Sequence, residues 1–232
     1  MGRGTSKAGG NKGRAGNNGL SIIPVEGGGT IDLGDTPLVY GDLDAAVTGN
    51  VRKAIDDWEN KRIKNKIEYN MSVDENGDQI GKEVRGGKGS VRVPVAQLQE
   101  GATHTHIHPR EESGLLGGTF SDGDLDNFAT YDVKTYRARA KEGAYSITKQ
   151  SNFNQKDFKS YVDTLYHNER ATLDNSTSGF LRKMRMDNSY TYKDYSNDYN
   201  KAFNTFLVSV HNGLLEGQKK YGYSYTLEGG KR

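Results

Sequence analysis

The sequence predicts an α+β fold: a small mixed or antiparallel sheet flanked by helices, with a helical C-terminal extension and a glycine-rich basic N-terminal arm. Three observations carry this. Strand-period alternation and hairpin signals run through residues 67–148. Apolar residues at helical spacing frame them, at 47–58 and again after residue 154. Residues 1–19 hold seven glycines and four basic side chains, Arg3, Lys7, Lys12 and Arg14, with no acid. The expected boundaries are an arm and lead-in over 1–36, an α+β domain over 37–150, and a helical extension with a final strand over 151–232.

Composition limits the function classes. The apolar fraction is 33% in 232 residues, with no cysteine, and the mean hydropathy is −0.84. Disulfides, thiolate zinc sites and a cysteine nucleophile are therefore excluded. No apolar run is long enough to span a bilayer, and residues 1–19 lack the apolar core of a secretory signal; a soluble protein with no membrane partner is expected. A net charge of +2 does not mark the whole chain as a nucleic-acid binder. The arm cannot bury enough apolar surface by itself to offset its ordering entropy, so it reads as a flexible segment that orders on a partner or makes weak, nonspecific contacts with nucleic-acid phosphates.

The elements follow in order. "LSIIPVEGGGTIDLGDTPLVYGD" reads as an extended lead-in with a possible edge strand. Val47, Val51, Ile55 and Trp58 recur at three- and four-residue steps, which predicts an amphipathic helix running through Gly49, with Trp58 as its core anchor. Ile67, Tyr69, Met71 and Val73 then share one strand face, and Glu68, Asn70 and Ser72 the other. Asn76–Gly77 is a two-residue hairpin signal. "SVRVPV" and "ATHTHIH" predict two more strands, and "YRARAKEGAYSIT" a second hairpin turning at Glu142–Gly143. Between them, Ser121 and Asp124 fit a capping box that opens a helix. Two helical stretches and a last alternating segment, "YGYSYTLE", close the chain. Tyr190, Tyr192, Tyr195 and Tyr199 are read as covering the helices rather than stacking on bases.

Three of the five histidines fall at 104, 106 and 108. On a strand, residues two apart point the same way with Cα atoms about 6.5–7 Å apart, close enough for two imidazoles to reach one ion at about 2.0–2.1 Å. Pro109 then ends the strand. A carboxylate in the first turn of the following helix can meet a cation held there. His167 and His211 fall in helix-like segments and are read as surface or core residues.

His106–Ile107–His108–Pro109, a spacer, and then Ser121–Asp122–Gly123–Asp124 resemble the JAB/MPN (JAMM) metalloprotease signature. The likeness is to the divergent domains of bacteriophages and mobile elements, and it spans roughly residues 40–150. The spacer between Pro109 and Ser121 is eleven residues, longer than is usual in the family, and its "GLLGG" suggests a loop insertion. The resemblance implies zinc bound by His106, His108 and Asp124, with water as fourth ligand and Ser121 supporting the oxyanion. It also implies a glutamate base on an earlier strand, for which Glu68 fits best and Glu83 and Glu100 less well. His104 leaves open which histidine pair binds. The implied activity is hydrolysis of an amide or isopeptide bond in a protein or peptide, in the host cytoplasm or on a virion. The alternatives are a non-catalytic phage virion or assembly component with the same fold, and a cupin-like metal protein built on His104, His106, Glu111 and Gly118. The cupin reading lacks its second motif, because no proline follows Pro109.

Overall fold

The computed structural model describes residues 22–24, 30–32, 38, 47–109 and 115–229. Most of the expected basic arm, with its phosphate contacts, and spacer residues 110–114, with Glu111, lie outside the described residues. In the lead-in, β1 (Ile22–Pro24) and β2 (Thr30–Asp32) pair antiparallel with each other as a separate ribbon.

The first helix, α1 (Gly49–Arg62), begins at Gly49 instead of running through it. Its fully buried anchor is Ile55, packed with Met71 and Val73. Trp58 sits half-buried at the edge of that cluster, because its indole N–H needs a polar partner and donates to Glu83 at 2.5 Å.

Strands β3 (Tyr69–Val73) and β4 (Gln79–Arg85) form the expected hairpin, but its turn is longer than two residues. Asp74 N–H donates to the Asp78 carbonyl at 2.9 Å, and the Asp74 carboxylate takes the amides of Asn76 and Asp78. That side-chain acceptor favours a three-residue loop with Gly77 left-handed at φ +89°. "SVRVPV" is not a strand. β4 and β5 already occupy both edges of β3, Gly87 N–H turns back to the Ser90 carbonyl at 2.8 Å, and Pro94 opens a 3-10 turn over Val95–Gln97.

The remaining elements are β5 (Thr103–Ile107), α2 (Asp122–Thr130), β6 (Thr135–Ala140), β7 (Gly143–Lys149), α3 (Gln155–Met186), α4 (Tyr192–Tyr221) and β8 (Tyr223–Gly229). The six-stranded sheet runs β4-β3-β5-β6-β7-β8. β5 and β6 are parallel, joined through α2, and the other neighbours are antiparallel. The architecture is thus a mixed α+β sheet between helices, not the all-β barrel of a cupin. Among the described residues, no helix is long and apolar enough to cross a membrane.

Alternation along β6 shows how the two faces are used. Tyr136, Ala138 and Ala140 point to a large core with Leu125 and Phe128 of α2, Phe158 of α3 and Val208 of α4. Arg137 points to the α1 face, 1% exposed. Its guanidinium meets Glu59 of α1 at 2.8 Å and Glu228 of β8 at 2.6 Å, and Ser146 of β7 at 3.0 Å. A buried charge needs this degree of pairing. Along α4, Tyr192, Tyr195, Tyr199 and Phe203 stack on one another at 6.2, 6.3 and 6.0 Å between ring centres.

Candidate metal centre

The register between β3 and β5 sets Asn70 opposite His106 and Ser72 opposite His104. Extended one pair further, it brings Glu68 opposite His108. His108 still follows the strand path, since its amide donates to the Arg139 carbonyl at 2.9 Å; Pro109 comes directly after. The polar face of β3 and the histidine face of β5 are therefore the same face.

The third donor comes from α2. Ser121 is its N-cap, and the capping box is complete: the Ser121 side chain accepts from Asp124 N–H, and Asp124 accepts from the Ser121 amide. One oxygen, Oδ2 of Asp124, takes both the amide and the hydroxyl of Ser121 at 2.8 Å. The same oxygen lies 3.4 Å from His106 Nε2 and 3.9 Å from His108 Nε2, and the two imidazole nitrogens are 2.8 Å apart. A circle through three points so spaced has a radius of about 2.0 Å, so one position lies a zinc–ligand bond length from all three donors. Among the described residues this is the one group of three or more histidines and carboxylates whose donor atoms converge. Two imidazoles and a carboxylate suit a divalent metal ion, and the cluster could hold one.

His108 is oriented from behind. Its Nδ1–H donates to the Gly118 carbonyl at 3.1 Å, which leaves the Nε2 lone pair facing the cluster. Gly118 is left-handed at φ +87°, and a Cβ there would sit 2.9 Å from a Leu207 methyl. Its amide and that of Gly117 donate to the buried carboxylate of Glu142 at 2.7 and 2.9 Å, which also accepts from Tyr145 Oη at 2.9 Å. The last two glycines of "GLLGG", Gly117 and Gly118, thus belong to a clasp on His108. Glu142 carries no motif; only its position in a hairpin turn was legible.

Charge in the site is ordered. Burial opposes protonation of His106, but Asp124, Glu68 and Glu59 together raise the imidazole above its usual 6.5. Burial likewise opposes ionisation of Asp124, yet His106 and then His108 hold its carboxyl below the usual carboxylate range. A positive charge at the convergence point is what these groups favour. His104 is one step deeper and outside the cluster. Its Nδ1 meets Ser72 Oγ at 2.9 Å, its ring lies 4.5 Å from that of Tyr136, and burial pushes its pKa down to about 3, so it stays neutral.

A cavity of about 500 Å³ opens beside the cluster, lined by Glu68, His108, Ser121 and Asp124 together with residues of α3 and α4. Glu68 thus shares a cavity with the donors, half-buried directly before β3. Glu83 faces α1 instead, bonded to Arg62 at 2.7 and 2.9 Å, and Glu100 is exposed in a turn. His167 is exposed, while His211 is buried in the core with its Nδ1 2.8 Å from Tyr225 Oη. No family model, curated protein or solved structure matches the chain.

Proposed function

We propose that the chain is a metal-dependent hydrolase of amide or isopeptide bonds, of the JAB/MPN type, holding zinc on His106, His108 and Asp124. The observation that carries the reading is the convergence of these three donors on one point beside a cavity that Glu68 also lines. Three protein ligands with an open side are the pattern of a catalytic rather than a structural zinc site. When bound, such an ion polarises a carbonyl and brings the pKa of a water towards about 7.

The chain's own groups complete the chemistry. Glu68 takes the proton of the attacking water and passes it to the departing nitrogen. Ser121, at the exposed rim, turns its hydroxyl to the developing oxyanion, a contribution of about 3–4 kcal/mol for a well-placed donor. Gly118 and Glu142 keep the His108 ring in its ligating tautomer. The substrate is a protein or peptide.

The test is elemental analysis of protein purified without a histidine tag, followed by turnover on a peptide and isopeptide library. Near-stoichiometric zinc, lost in His108→Ala, is expected. Glu68→Gln should keep the zinc and lose turnover. Metal-free protein with an intact fold would end this reading. Unchanged behaviour of Glu68→Gln would favour a non-catalytic binding or assembly protein.

A further inference from the structure

We infer that α3 and α4 supply a side-chain subsite beside the metal cluster, which takes a large apolar residue of the peptide next to the bond being cut. This rests on the hydrolase reading and names the class of substrate. Beyond the metal donors, the cavity is lined by Tyr166 and Leu173 of α3 and by Phe203, Phe206 and Leu207 of α4. On α4 these fall at i, i+3 and i+4, one stripe of the helix. Apart from Glu68 beside the cluster, the charged members of the lining outside the cluster itself, Lys88, Asp122, Arg170 and Asp174, are all exposed at the rim. Arg170 is held by Asp122 at 2.8 Å and lies over the Tyr166 ring. The Tyr166 hydroxyl is also committed, donating to the Phe120 carbonyl. What remains on the helical side is apolar.

Gly118 joins this wall to the metal cluster. Its carbonyl orients His108, and its Cα leaves only enough room for the methyls of Leu207. The apolar wall and His108, Ser121 and Asp124 line one and the same cavity, which places the wall where it can receive the side chain flanking a scissile amide. About 500 Å³ falls within the range of small-ligand sites, roughly 300–1,000 Å³, and accommodates a leucine- or phenylalanine-sized group with its backbone. Covering such a group should strengthen binding about ten- to a hundredfold over glycine.

The experiment is calorimetric titration of the zinc-loaded full chain with the hydroxamates of N-acetylglycine, N-acetylleucine and N-acetylphenylalanine, where the hydroxamate chelates the metal and only the side chain varies. The leucine and phenylalanine compounds should bind at least tenfold tighter than the glycine one. That gain should shrink several-fold in Leu173→Ala and Phe203→Ala, with zinc content measured in each. Should Phe203→Ala not fold, Leu173→Ala and the wild-type series still decide. Equal affinities across the series on zinc-loaded protein overturn the subsite while leaving the metal centre standing, as does a gain unchanged in both variants. Protein that takes up no zinc overturns the hydrolase reading and the subsite with it.

Discussion

Oδ2 of Asp124 caps a helix and faces two imidazoles at once. The Ser–x–x–Asp spacing could be read in advance for the cap, and the His–x–His spacing for the pair, because both follow from backbone geometry alone. The exclusion of His104 could not be read, since strand period gives all three histidines the same face; only depth separates them. The linkage in this site has a definite sign. His106, raised in the folded chain, adds stability to the metal-free protein below about pH 6.5, which is lost as pH rises through its folded value. Asp124, depressed, adds stability above the usual carboxylate range, lost as pH falls through its lower folded value. A proton on His106 competes with a cation. Zinc affinity measured by chelator competition should therefore fall at least about tenfold per pH unit below the raised His106 pKa, and His106→Ala should make that slope shallower, leaving the part due to His108.

Among the elements, those with strong period were legible: the two hairpins, the capped α2 and the long C-terminal helices. "SVRVPV" shows the limit, for its β-branched residues meet a sheet with no vacant edge beside β3 and a proline that turns the chain. The parallel pairing of β5 with β6 left no mark in either segment, because α2 decides it. Gly117 and Gly118, ahead of α2, depend on a residue distant in sequence, Glu142. Glu142→Ala would strand the Gly117 and Gly118 amides, at about 1–3 kcal/mol each if they stay buried. Loosening the Gly118 clasp on His108 should also weaken zinc binding about 10- to 100-fold. Urea unfolding of the metal-free variant and zinc competition would separate the two effects.

For the molecule as a whole, the sheet divides two kinds of interior. One face joins an apolar core on β6 to the buried polar side chains of β3 and β5, with the His106–His108–Asp124 cluster at its end; the other is bound to α1 through the Ile55–Met71–Val73 cluster and through Arg137 and its carboxylates. Arg137→Ala leaves Glu59 buried without its cation and Glu228 with Arg52 alone, and should cost about 3–5 kcal/mol, read as a lower denaturation midpoint. Zinc content of the folded fraction should hardly change, because Arg137 and the histidines point to opposite sides. The position of β8 has a further consequence for biosynthesis. This edge strand supplies Glu228 to Arg137 and Tyr225 to Thr119, so residues 223–229 secure parts laid down 91 and 106 positions earlier. A chain extended only as far as α4 would hold its histidine strand and its helical hairpin while the arginine and the Thr119 segment still lack these partners, so both interiors are completed only once β8 is in place.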